Sequence, residues 1–324
     1  MTFVRIDGIP HHIRVDGPGP APGIGPGTGP VCLLSVGLGM SWFDWDPVVP
    51  LLAPYRTVVR FDRPGLGLSA PAPARAWPTL AGEAQRIARV LDAAGVHTPV
   101  TVVGHSLAGF HCEAFARLHP ERTAGLVLVD SSVEEEPRPS RAPALRNTAT
   151  RACGTLLAGA GLPRALGPLL RRTAVRAERH MHRGDPAPYD LVRRAYSTSR
   201  FLRAALAENA TYRDQAVELD GLRERPLPDV PVTVLAAHAH TAGDSDSDSD
   251  GGSEGDGSRH WLHRQERLAE RLGGTFRVSA PAGHLVMLDR PQDVAAAILD
   301  APNEPNEPVR PSPAGQEEER THRR

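Results

Sequence analysis

Serine becomes a nucleophile only when a base takes its proton and an acid orients that base. One serine here has the setting for it. Ser106 lies in Gly104-His105-Ser106-Leu107-Ala108-Gly109, after the apolar run 100–103 and before a helical pattern over 107–118. Such a strand-to-helix turn holds its serine in a strained backbone and lifts the hydroxyl above the sheet. Small residues two before and two after suit the close approach of strand and helix. Gly104 meets that need. Ala108 stands where a second glycine is usual, adding one methyl, and Gly109 follows at once. An ordinary turn that happens to contain serine is the bland alternative, so the partners must decide.

His284, in the segment SAPAGHLVMLDRP, is the best base, because a Pro/Gly loop after the strand-like TFRVS (275–279) would carry it. His105 abuts the serine and reads as packing or pocket lining, while His111, His119, His260 and His263 fall on helical patterns. Two carboxylates compete for the third place. Asp130 ends the apolar GLVLVD (125–130), and Asp244 opens a Ser/Asp repeat after VTVLAA (232–237). An orienting acid must be held rigidly, which favours Asp130. The oxyanion of an acyl transfer needs backbone N–H donors. Leu107, at a helix N-terminus, supplies one, and Leu38, in the loop GLGMSW, supplies the other. Trp42, Phe43 and Trp45 follow closely and, with His105, are candidates to line a substrate pocket; packing beneath the loop is the equal alternative for the three aromatics.

The elements that must position these residues can be read from periodicity. TFVRID and HHIRVDG form an opening pair of strands. VCLLSV (31–36), TVVRFD (57–62), VTVVG (100–104), GLVLVD, VTVLAA and TFRVS are short apolar runs, as buried parallel strands would be. Residues 79–95, 107–118 and 260–274 carry helical patterns, with Leu80, Ala84, Ile87, Ala88 and Leu91 on one face of the first. Strands alternating with helices predict a mostly parallel sheet covered on both faces. The interval 133–228 breaks the alternation: it is arginine-rich, with helix candidates near 141–158, 163–182 and 188–209, and reads as an inserted lid. The expected organisation is a core of 1–132 and 229–301, a helical lid of 133–228, a low-complexity linker at 243–257 and a polar, Pro-rich tail at 302–324.

Taken together, the chain resembles the α/β-hydrolase superfamily over residues 31–132 and 229–300. The resemblance rests on SVGLG (35–39), FDRPGLGLS (61–69), GHSLAG (104–109) and AGHLVMLDRPQDVAAAI (282–298), with serine, acid and histidine in the family's order. It implies an α/β-hydrolase fold and a serine hydrolase with Ser106 as nucleophile and His284 as base. On the acid it points both ways. Most members place it after the strand that is VTVLAA here, favouring Asp244. A minority, including enzymes similar to haloalkane dehalogenases, place it one strand earlier, favouring Asp130. The chain departs from the family at Ala108 and at Val36, where His is common; the latter removes a possible hydrogen bond shaping the oxyanion loop.

Composition excludes other classes. The 324 residues suffice for one α/β domain with an insertion, and a net charge of -1 gives no global field for nucleic acid or membrane. All 37 basic residues are arginine. Cys32, Cys112 and Cys153 form no CxxC pair, so a metal or redox site is not expected. DSDSDG (246–251) lacks the glutamate of a calcium loop, and HAHTAGD (238–244) lacks the rest of a metal motif. The N-terminus has no apolar signal core and no run is long enough to span a bilayer, so a cytoplasmic protein is expected. The resulting expectation is a cofactor-free, metal-free hydrolase of a small ester, lactone or thioester. Its partner would be a small-molecule substrate, with neither nucleic acid nor membrane. A perhydrolase-type activity on the same three residues and a non-catalytic binding protein on the same fold are the alternatives. An epoxide hydrolase or dehalogenase would need aspartate in place of Ser106.

Overall fold

The computed structural model describes residues 2–17, 30–73, 76–239 and 254–300. Eight strands form one sheet: β1 (Thr2–Ile6), β2 (Ile9–Asp16), β3 (Val31–Ser35), β4 (Thr57–Phe61), β5 (Val100–His105), β6 (Thr123–Val129), β7 (Val232–Ala237) and β8 (Thr275–Ser279). Their spatial order is β1-β2-β4-β3-β5-β6-β7-β8. The opening hairpin is antiparallel and joins β4 antiparallel; every pair from β4 to β8 is parallel.

The central strands are apolar at nearly every position because both faces are covered. Alternate residues divide between two cores. Leu33, Val59, Val102, Leu126 and Val234 face one, with helices α2 (Leu80–Ala93) and α3 (Leu107–Leu118) packed over it. Cys32, Leu34, Val58, Val103, Val127 and Leu235 face the other, against α1 (Val49–Leu52), α9 (Val286–Asp289) and α10 (Pro291–Leu299). Each fully buried Val or Leu contributes about 1.5–3 kcal/mol. Thr79 caps α2 by accepting from Gly82 N–H.

Between β6 and β7 lie four helices: α4 (Pro143–Gly159), α5 (Leu162–Glu178), α6 (Tyr189–Tyr196) and α7 (Ser199–Leu222). The single helix expected near 188–209 is two. Thr198 leaves helical geometry, and its side chain accepts from Phe201 N–H, so a new helix starts at Ser199. The insertion is bolted to the core. Arg179, just past α5, donates to Asp289 (2.8 Å) and to the Leu288 carbonyl (2.8 Å).

Helix α8 (Glu254–Leu272) starts earlier than its apolar pattern suggests, so four residues expected in the linker are helical. Ser258 there meets His238, at the end of β7, at 2.9 Å. Asp244, the DSDSDG stretch and the tail from 302 lie outside the described residues. Among the described residues no helix is long and apolar enough to cross a membrane.

Candidate active site

The carboxyl ends of β3, β5, β6 and β8 meet on one edge of the sheet. β4 and β5 flank β3 on opposite sides, and a crevice opens where the chain reverses direction around it. Ser106 follows β5 and precedes α3, with φ 52° and ψ −126°. A non-glycine residue there stores about 1–3 kcal/mol of strain. The surroundings hold it in place: its N–H donates to Val129 O (3.2 Å), and its carbonyl accepts from Gly109 N–H (2.9 Å) and Ser132 N–H (3.1 Å). The close approach falls on Gly104 and Gly109. A Cβ on Gly104 would lie 2.4 Å from Ala108 O, and one on Gly109 would lie 1.9 Å from Ser131 Oγ. Ala108 is fully buried and its methyl fits, so the glycine the turn requires after the serine is one residue later than the usual pattern.

Asp130 follows β6, 2% exposed and at φ 40°. Three donors converge on its carboxylate. Ala237 N–H (2.9 Å) and the Trp261 indole N–H (2.8 Å) reach Oδ1, and His284 Nδ1 reaches Oδ2 at 2.5 Å. Because a carboxylate only accepts, the Nδ1 of His284 carries the proton and the Nε2 of the neutral ring is free to take one. Burial pulls the His284 pKa down. The hydrogen bond and charge of Asp130, with the charge of Glu178, outweigh it and leave the pKa above the ordinary 6.5.

His105 lies under the same ring, with centroids 4.7 Å apart, and its Nε2–H donates to the His284 carbonyl at 2.9 Å. Burial first, and then the neighbouring His284, hold His105 well below 6.5, so it stays neutral. It therefore braces the loop of His284 without competing for protons.

Residues 36–40 lie against the Ser106 turn; a Cβ on Gly37 would come within 3.0 Å of Ser106 Cβ. Arg63 and Glu208 fix this loop. The Arg63 guanidinium donates to Val36 O (2.5 Å), Gly37 O (2.8 Å) and Glu208 Oε1 (2.6 Å), and Glu208 Oε2 accepts from Gly39 N–H (3.0 Å). Both side chains are buried. The backbone on both sides of Leu38 is thus engaged. Leu107 is the first residue of α3, where an N–H has no partner within the helix.

A cavity of about 610 Å³ opens over these groups. Ser106, His105, His284 and Leu38 line it from the core; Leu157, Leu162, Leu166, Leu170, Val175 and Phe201 line it from the insertion. Arg171 also reaches it, but its charge is spent on Asp44 and on Asp185 (3.0 Å), with Tyr196 OH at 3.2 Å. Glu178 lines it as well, so the cavity is apolar apart from that carboxylate and the groups around Ser106.

The model of the alpha/beta hydrolase family matches residues 32–297. The chain belongs to this family. Among curated relatives, a putative carbamate hydrolase RutD of Caulobacter vibrioides is 36% identical over 140 residues, 42% of this chain and 47% of that protein. A probable transporter efuK of Hormonema carpetanum is 34% identical over 123 residues, 37% of this chain and 17% of that protein. The chain thus spans less than half the length of either relative. Among solved structures, the enol-lactonase from Burkholderia xenovorans LB400 superposes with a TM-score of 0.59 at 20% identity, over 92% of this chain and 98% of that one.

Within this alpha/beta hydrolase, the structure brings together Ser106, Asp130, His284, His105 and Leu38. Asp244 lies outside the described residues. Trp42 and Phe43 do not line the cavity. They form a separate buried cluster with Val192, Ala195 and Tyr196, Trp42 lying beneath Arg14 and Arg60 at 4.7 and 5.1 Å. Trp42 N–H donates to Asp62 Oδ1 (3.0 Å), which turns the chain away from the crevice after Met40. Three residues escaped the sequence reading. Arg63 stood inside FDRPGLGLS, and Trp261 stood between His260 and His263 on the helical pattern 260–274. Glu208 left no signal, since its partner is 145 positions away.

Proposed function

We propose that the protein is a serine hydrolase acting on an uncharged carboxylic ester, lactone or thioester with an apolar acyl group. The observation that carries this reading is Ser106 at positive φ in the same cavity as a histidine hydrogen-bonded to a buried aspartate. Ser106 Oγ attacks the carbonyl carbon as His284 Nε2 takes its proton. Asp130 keeps the ring in the required tautomer and stabilises it once charged. The N–H groups of Leu38 and Leu107 receive the oxyanion. The tetrahedral centre collapses, His284 gives its proton to the leaving oxygen or sulfur, and an acyl-serine remains. Water then attacks, its proton passing to His284, and the acid leaves as the Ser106 hydroxyl is restored. A similar curated protein, the putative carbamate hydrolase, and a solved structure of the same fold, the enol-lactonase, carry names that belong to the same chemistry at a carbonyl carbon. Helices α4 to α7 act as the lid, supplying the apolar wall.

That wall sets the expected specificity. Each further methylene buried gains about 0.8 kcal/mol, close to fourfold in kcat/KM. On p-nitrophenyl esters from acetate to hexanoate, kcat/KM therefore rises with chain length, and a succinyl ester is poor. Preference for the charged ester would sink the acyl-pocket assignment. Because His284 must be neutral to act and its pKa is raised, kcat/KM falls as pH drops through a midpoint above 6.5. A flat profile from pH 5 to 9 would remove His284 as base.

Glu208 and Arg63 act here as positioning residues. Glu208→Gln keeps the shape but removes the charge holding Arg63 to the loop, at a stability cost of about 3 kcal/mol. The loop then loses its fixed donor. Turnover falls about 10–100-fold while KM changes little, as for a group felt mainly in the transition state. A purely structural role would lower the melting temperature and leave kcat per folded molecule unchanged.

A further inference from the structure

A second cavity, of about 540 Å³, lies on the other side of loop 36–40 and shares no lining residue with the first. Segments 63–65, 71–73 and 76–79, the first turns of α2, and the helices α4 and α7 enclose it. Nothing in the proposed hydrolysis uses it.

Its charge is one-sided. Five arginines and two glutamates line it. Glu208 is matched to Arg63 and Glu83 to Arg86 (3.0 Å), so both carboxylates are committed. Arg151, Arg200 and Arg203 have no carboxylate partner among the described residues. Arg200 spends its terminal nitrogens on the carbonyls of Gly67 (2.6 Å) and Ser69 (3.3 Å), and its buried Nε has no partner. Burial lowers the Arg200 pKa, and the charge of Asp62 only partly offsets that. Arg151 stacks over the Trp77 ring at 4.7 Å. The remaining wall mixes Trp77, Pro71, Pro73, Pro78 and Ala204 with the hydroxyls of Thr79, Thr150 and Thr155.

Three cations facing one concave site repel one another, and an anion among them removes that cost. Guanidinium groups bind carboxylate and phosphate oxygens in paired hydrogen bonds. Trp77 and the prolines offer a flat apolar surface to whatever carries the charge. We propose that this cavity is a binding site for a small organic anion, a carboxylate or phosphate ester, with an apolar body. The anion meets the guanidinium groups of Arg151 and Arg203, with the charge of Arg200 behind them, and the body lies against Trp77 and the proline wall. The inner wall is the Arg63–Glu208 pair, so an occupant sits directly behind the loop that pair holds. The site does not depend on the role given to Ser106.

Titration calorimetry of the full chain at low salt, with 1-naphthoate, 1-naphthyl phosphate and the neutral 1-naphthamide, tests it. The amide measures apolar binding in either cavity. At least one anion should bind one to one and at least tenfold tighter than the amide, and should weaken with added salt. Which anion binds tighter identifies the charged group. Arg151→Ala and Arg203→Ala should each weaken it about tenfold. Both side chains are exposed, so melting temperatures should stay within a few degrees of the parent, and Arg203→Gln repeats the test with a smaller change of shape. Equal affinity for amide and anions, anion binding that survives in the combined Arg151→Ala, Arg203→Ala variant, or no anion binding would each overturn the proposal.

Discussion

Ser106→Ala lowers turnover of p-nitrophenyl butyrate by about 10⁴–10⁶, to the residual rate that an oxyanion site and substrate binding sustain without a nucleophile. The loss lies in kcat, with KM nearly unchanged, because the hydroxyl makes its bond only in the reaction. The protein remains folded, since alanine at this position keeps the backbone contacts to Val129, Gly109 and Ser132. Ser106→Gly is equally inactive and more stable. The φ 52°, ψ −126° conformation is the mirror image of one that L-residues favour, and glycine adopts it without strain. Relief of about 1–3 kcal/mol exceeds the loss of about 0.5–1 kcal/mol from greater freedom of the unfolded chain. A melting temperature below that of the parent would contradict the strain argument. Retained activity in Ser106→Ala would contradict the nucleophile.

Asp130→Asn follows as the second large effect. The asparagine keeps the size, but its amide group cannot accept from both sides of the carboxylate site. Oδ1 already serves Ala237 N–H and Trp261 Nε1–H, so the amide nitrogen turns toward His284. The ring then presents Nδ1 as acceptor and its proton moves to Nε2, the wrong tautomer for taking a proton from Ser106. The expected cost is about 10³–10⁴ in kcat, or about 4–5.5 kcal/mol of barrier. Asp244→Asn measured alongside stays within about threefold of the parent. A large loss at Asp244 with activity kept at Asp130 would transfer the role of the acid.

Much of this was legible in the chain. The strands from VCLLSV to TFRVS announce themselves because burial on both faces demands apolar residues at nearly every position. The order of GHSLAG, Asp130 and AGHLVMLDRP follows from strand ends that the sheet brings to one edge. What stayed hidden has physical causes. The aromatics of SWFDW were ambiguous because a pocket and a buried cluster select the same side chains; an Asp62 hydrogen bond to the Trp42 backbone decided between them. Val36 left loop 36–40 without the histidine that the resemblance to the family led one to expect there. The Arg63–Glu208 pair that fixes the loop joins a core turn to an inserted helix, a contact no local pattern records. The break at Thr198 was masked by apolar spacing that runs on through it, and only the capping hydrogen bond marks it.

Peptide mapping of the full chain after reaction with a fluorophosphonate tests the central claim most directly. The reagent bonds covalently only to an activated serine. One adduct per chain on the peptide carrying Ser106, formed in step with loss of esterase activity and absent from Ser106→Ala, is the predicted result. An active protein with no adduct, or an adduct that persists in Ser106→Ala, would contradict it.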